Sequence, residues 1–135
     1  MRTLINIDVG DLALAELFYC EAFDLKVGRR FGAQALELLG ASVAIYLLRK
    51  DEATAAASST LARRSYQRHW TPVHLDFVVD EIDLAVRKAV SAGAVLEDPV
   101  QTQRWGRIAH LGDPFGHGFC LIQFLGRGYD EIAGQ

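Results

Sequence analysis

The sequence predicts an α+β fold made of two copies of one β-α-β-β-β module. Three observations lead there. Residues 4–22 are repeated as residues 74–92 at a constant offset of 70, with Ile5 matching Leu75, Ile7 matching Phe77, Val9 matching Val79 and Ala15 matching Ala85. In both copies a period-two apolar alternation gives way, at an acidic residue, to a helical pattern. After each helix come three strand-like stretches separated by turn residues.

The first strand is predicted over 4–9, where Ile5, Ile7 and Val9 alternate with Asn6 and Asp8. Asp11 suits the start of a helix over 11–23, because a carboxylate there accepts backbone N–H bonds and opposes the helix dipole. Strands follow at 25–31, 35–39 and 43–48, punctuated by Gly32 and Gly40. Residues 50–70 are rich in Ala, Ser and Arg and read as a linker, although 53–64 could form a short helix. The second module repeats the scheme with a strand over 74–79, Asp80-Glu81 at the start of a helix over 81–92, and Gly93 as its stop. Strands are predicted at 95–100, 104–111 and 118–124. Between the last two, Asp113-Pro114-Phe115-Gly116 is a tight turn, in which Pro114 presets φ and Gly116 can take a positive φ. One domain results, with module one at 1–49, the linker at 50–70, module two at 71–124 and a tail at 125–135. Either module alone has too little core to stand by itself.

Composition limits the function. The chain has 135 residues, is 50% hydrophobic and carries a net charge of −3. Nucleic-acid binding wants a concentrated basic face; the one basic cluster, Arg63, Arg64 and Arg68, reads as a solvated connector. No apolar run is long enough to span a bilayer, and the N-terminus lacks the pattern of a signal peptide, so a cytoplasmic protein with no membrane partner is expected. Cys20 and Cys120 make no disulfide framework and are expected as free thiols. No nucleophile elbow, P-loop or dinucleotide fingerprint is present.

Four stretches, INIDVGDLALAELFYCEAFDL, VHLDFVVDEIDLAVRKAVSAGA, WGRIAHLGDP and DPFGHGFCLI, occur in an order that resembles the vicinal oxygen chelate superfamily of glyoxalase I, bleomycin-resistance proteins and extradiol dioxygenases. The resemblance covers about residues 3–49 and 71–124. It implies that the modules form a curled eight-stranded mixed sheet around a cavity, with the helices on the outer face, and that the protein is a homodimer. Fold does not fix function in such a group, whose members use the cavity for metal-assisted isomerisation, ring cleavage, thiol transfer or plain ligand sequestration.

Strand alternation tests what the cavity presents. Ile5, Ile7 and Val9 should face the helix, leaving Leu4, Asn6 and Asp8 for the concave face; by the repeat, His74, Asp76 and Val78 share that position. Ala44, Tyr46 and Leu48 should be concave in the first module's last strand, and Gly118, Cys120 and Ile122 lie on one parity of the second's. Metal-dependent members carry their ligands at positions that the resemblance maps to Leu4, about Ala44, His74 and Cys120. Leu and Ala cannot coordinate, and a catalytic divalent metal generally needs three protein ligands. No cofactor is therefore expected, with a divalent metal as the minor alternative.

The remaining chemistry is His74 with Asp76 as a general base, and Cys120 as a thiol beside it. Asn6, Asp8, Tyr46, Trp105 and Arg107 supply orienting groups and flat surface for a ligand, with Trp70 as a further aromatic. His110 and His117 are expected at strand ends or in the turn. The reading is a protein that binds a small organic molecule in a largely apolar, metal-free cavity. The alternative is a glyoxalase-type lyase or isomerase, or a dioxygenase, using His74 as base or metal ligand.

Overall fold

The computed structural model describes residues 1–134. The chain divides into two compact units, unit 1 over Met1–Gln67 and unit 2 from Arg68 onward. Unit 1 has β1 (Ile5–Val9), α1 (Leu12–Phe23), β2 (Lys26–Phe31), β3 (Ala35–Leu39) and β4 (Ile45–Arg49). Its sheet runs β1-β4-β3-β2, with β1 and β4 parallel and the other pairs antiparallel. The Asp11 carboxylate caps α1 by accepting from Leu14 N at 2.9 Å, which satisfies one of the free N–H groups of the first turn. Ala15, Phe18, Tyr19 and Ala22 of α1 are buried, as are Ile7, Val9, Leu36, Leu38, Ile45 and Leu47 of the sheet. These strand residues share one parity, so α1 covers that face. Leu4, Asn6, Asp8, Glu37 and Tyr46 belong to the other.

The predicted linker is ordered on unit 1 without forming a helix. Residues 53–64 fold back on themselves through an Ala55–Arg63 bridge, with Ala53 N donating to Arg64 O and Ala56 N to Ala62 O. The Arg64 guanidinium holds the turn, donating to Ala55 O and Thr54 Oγ1 and, at 2.8 Å, to Asp8 Oδ2. Tyr66 donates to Lys50 O at 2.6 Å, and its ring lies where a Cβ on Gly10 would sit, 3.2 Å away.

Unit 2 repeats the plan with β5 (Leu75–Val78), α2 (Ile82–Ala92), β6 (Val95–Leu96), β7 (Gln101–Thr102), β8 (Gly106–Gly112) and β9 (Gly118–Phe124). The order is β5-β9-β8-β6, with β7 also on β8. Of the strand expected over 95–100 only Val95–Leu96 forms, and a second short strand follows it at Gln101–Thr102; both are antiparallel to β8. Pro99 lies between them and has no N–H to offer a ladder. The described residues form nine strands in two sheets of four and five. Glu81 makes no side-chain cap on α2; Gln123 Oε1, from β9, accepts Ile82 N at 2.9 Å instead. Gly93 stops the helix at φ 125°. The turn before β9 is fixed from inside: the Asp113 carboxylate, 6% exposed, accepts Phe115 N at 2.8 Å and His117 N at 2.9 Å. Phe77, Ala109, Leu111, Phe119 and Leu121 lie on the helix side; Asp76, Val78, His110, Cys120 and Ile122 lie on the other.

Candidate functional site

In unit 2, register places Asp76 opposite Cys120 and Cys120 opposite His110, so the three cross adjacent strands in one row. His74 precedes β5 with the parity of Asp76, and its Nε2 lies 3.3 Å from Asp76 Oδ1. The Trp70 indole leans over the His74 ring at 5.3 Å between centroids. Trp70, His74, His110 and Cys120 line a cleft of about 220 Å³, and Arg68, Glu97 and Asp98 also stand on its wall. Arg68 is a clasp. Its Nε and Nη2 pair with both oxygens of Glu97, at 2.5 and 2.8 Å, and Nη1 donates to His69 O and Gly116 O. The guanidinium lies where a Cβ on Gly118 would stand, 2.6 Å from Nη2, so the glycines of the Gly112–Gly118 pair make its slot.

His74, Asp76 and Cys120 are a group of three possible metal ligands, with donor atoms within 4.8 Å of one another. Cys120 is 4% exposed, and burial, followed by the Asp76 charge and its hydrogen bond, pushes the thiol up to about 12. In the metal-free chain the proton stays on sulfur, next to the Asp76 carboxylate that accepts it. Stability is then expected to fall as pH rises from about 9, where the unfolded thiol ionises, toward about 12. Cys120→Ala should remove that part of the loss when urea midpoints are compared across the window.

Unit 1 carries the matching row. The register Asn6–Tyr46 corresponds to Asp76–Cys120, so the counterpart of Cys120 is Tyr46, and Ala44 stands two residues short of it. Glu37 is opposite Tyr46 where unit 2 has His110. The row thus reads Leu4, Asn6, Tyr46, Glu37. Leu4 has no donor atom, and the Tyr46 hydroxyl is committed, donating to Glu37 Oε2 at 2.8 Å and accepting from Arg29 Nη2 at 3.0 Å. Arg29 also gives Nε to Glu37 Oε1 at 3.1 Å and Nη2 to Oε2 at 2.5 Å. Arg29 first, then Tyr46, holds the Glu37 carboxyl down to about 2. Its folded value lies below the ordinary 4.5, so the stabilisation is complete above that pH and is lost as pH falls from 4.5 toward about 2. Glu37→Gln should flatten the acid limb of the stability profile over those pH units.

Other residues singled out in the sequence lie apart from these rows or are occupied. Asp8 is paired with Arg64. Arg107 has the parity of the helix side and pairs with Asp83 at 2.8 and 3.1 Å. Trp105 packs with Tyr129 and Phe124, at 5.1 and 6.3 Å between ring centroids. The basic cluster is divided, Arg64 to Asp8 and Arg68 to Glu97. His110 is not at a strand end but in the middle of β8, on the cleft wall. The turn registers Gly112 with Gly118, so counting outward from it would have set His110 opposite Cys120. His117 does lie at the turn, with Nδ1 3.2 Å from His69 Nε2.

A family model described as glyoxalase-like domain matches residues 4–122. An uncharacterized protein of Mycobacterium bovis is 32% identical over 123 residues, which are 85% of this chain and 78% of that protein. The anthracycline biosynthesis protein DnrV of Streptomyces peucetius is 42% identical over 67 residues, 49% of this chain and 22% of its own length. Among solved structures, a variant of the fosfomycin resistance protein FosX of Listeria monocytogenes, complexed with Mn(II) and dihydroxypropylphosphonic acid, superposes with a TM-score of 0.73. It has 19% sequence identity and covers 98% of both chains.

Proposed function

The chain belongs to the glyoxalase-like domain family, and from that premise we propose that it binds a small organic molecule, with no resident metal, in the unit 2 cleft between Trp70 and the row His74, Asp76, Cys120 and His110. One observation carries the reading: the Trp70 indole stands 5.3 Å from the His74 ring on the wall of a cleft that His110 and Cys120 also line. An indole over an imidazole, a carboxylate and an apolar floor suit an organic guest with a few polar groups. Relatives named for anthracycline biosynthesis and fosfomycin resistance are associated with small organic molecules, which supports the class and not a particular ligand. The reading includes a cytoplasmic homodimer, and sedimentation velocity would report the oligomeric state.

The test is elemental analysis of protein purified without chelator, together with thermal shifts against a panel of small organic molecules. The expected result is metal far below one ion per chain and a ligand that raises Tm. At 100 times its Kd such a ligand adds about 2.7 kcal/mol. A stoichiometric divalent ion, lost in His74→Ala, would overturn the reading. It would favour a second one, a lyase, isomerase or dioxygenase with His74 as base or ligand. The 3.3 Å approach of His74 Nε2 to Asp76 favours that second reading, because a carboxylate neighbour fixes the orientation of an imidazole that is to move a proton.

A further inference from the structure

We propose that unit 1 carries a recognition site of its own, built by Arg29, Tyr46 and Phe31 on the sheet face that α1 leaves uncovered, and that it takes a planar aromatic carboxylate. The site goes beyond the unit 2 cleft and stands or falls separately from it.

The construction begins in the edge strand. The register of β2 on β3 shifts between Val27 and Arg30, and such a bulge re-aims a side chain. Gly28 lies in it, where a Cβ would fall 2.6 Å from Glu37 Oε1 and 2.9 Å from Leu39 Cδ1. The bulge lets Arg29 reach Glu37 with both its backbone N–H, at 3.2 Å, and its guanidinium. Glu37 is 6% exposed and accepts from Arg29 N, Nε and Nη2 and from the Tyr46 hydroxyl. An ion pair of this kind contributes little net stability, since desolvation offsets attraction. What it does accomplish is to fix a guanidinium in one pose, and preorganised donors recognise an oxyanion better than mobile ones.

Nε and Nη2 are used in these bonds, and Nη1 keeps two N–H donors for an outside acceptor. The Arg29 side chain is 66% exposed. Phe31, also on the uncovered face by its pairing with Ala35, is 45% exposed. Its ring centroid lies 5.7 Å from Arg29 Cζ and 6.3 Å from the Tyr46 ring. A fixed cation beside two aromatic rings, inclined to each other by 41°, presents apolar surface and a donor edge to the same guest. The charge on this face sets the sign of that guest. Glu37 is neutralised by Arg29 and Asp8 by Arg64, whereas Lys26, opposite Leu39, adds a positive charge on the same parity. A carboxylate is therefore preferred over a neutral or cationic group of the same shape.

The test titrates the full chain with 2-naphthoate and with 2-naphthamide, following backbone amide shifts by NMR. Expected are shifts concentrated at residues 26–31, 37 and 46, and a Kd for the carboxylate at least about tenfold below that for the amide. Arg29→Met combined with Glu37→Gln removes both charges together, so that neither is stranded, and should bring the two Kd values to within about twofold of each other. Phe31→Ala should weaken both probes alike, leaving their ratio unchanged. The proposal is overturned by equal affinity for the two probes, by no detectable binding of 2-naphthoate, by shifts confined to Trp70, His74 and their neighbours in unit 2, or by a double variant that discriminates as the native chain does. Shifts confined to unit 2 would leave the cleft reading intact, and shifts confined to unit 1 would say nothing against it, so the two outcomes remain separable.

Discussion

Phe18→Ala is expected to destabilise the protein by about 3–5 kcal/mol, the usual result of truncating a buried aromatic. Phe18 is 1% exposed and sits at the centre of the covered face of α1. It meets Tyr19 edge to face at 4.9 Å and Phe23 at 6.0 Å between ring centroids. The loss is large because the side chain serves twice: it fills the space between α1 and the sheet, and it orders the neighbouring rings. Against a typical stability of about 5–15 kcal/mol, this is a substantial part of the total. Urea unfolding followed by far-UV circular dichroism should show the midpoint falling by about 1 M or more, given slopes of about 1–3 kcal/mol per M for domains of this size. Leu17→Ala is the control. It lies on the same helix, is 59% exposed, and should change stability by no more than about 0.5 kcal/mol. Equal losses from the two variants would mean that α1 does not pack as described.

Gly106→Ala is expected to cost about 2–3 kcal/mol, at the upper end of what overpacking does. Gly106 opens β8 opposite Phe124. A Cβ there would stand 2.5 Å from Gln123 O and 3.2 Å from Phe124 Cα. Both obstacles are backbone of the partner strand, so the clash cannot be relieved by a rotamer change, and β8 must move away from β9. Gly118→Ala makes the contrast. Its Cβ would meet the Arg68 guanidinium at 2.6 Å, and a flexible side chain can swing aside. The expected cost is smaller, about 1 kcal/mol, but the Arg68–Glu97 clasp opens. Amide exchange at His69 and Gly116 should then accelerate in Gly118→Ala and remain slow in Gly106→Ala, where the clasp is untouched. A Gly106→Ala protein with native urea midpoint would contradict the close approach of the two strands.

The repeat and the strand faces were legible in the sequence because period-two alternation survives in the central strands. Ile5, Ile7 and Val9 against Leu4, Asn6 and Asp8 fall on the expected sides, as do Leu75 and Phe77 against Asp76 and Val78. The pairing of β8 with β9 was legible from the turn between them. What was not legible depends on local departures from that alternation. The β2 bulge turns Arg29 toward Glu37, and neither residue stands out by type or spacing. Tyr46, not Ala44, matches Cys120 because that equivalence is set by the register of β4 on β1, which only the pairing reveals. The cap on α2 comes from Gln123, far along the chain. The fold-back of residues 53–64 is held by one arginine, where an Ala-rich composition suggested a helix or nothing.

The parallel pairing of each unit's opening strand with its closing one has a consequence for synthesis. Ile5 has no ladder partner until Ile45 has been made, and Leu75 none until Phe119. A nascent chain leaving the ribosome must carry its first strand and an apolar helix without cover until β4 emerges. Loop closure has to be met before those contacts repay it. Assembly of each unit is therefore expected to be late and abrupt, with β1 and β5 the last strands to gain protection in pulse-labelling during refolding.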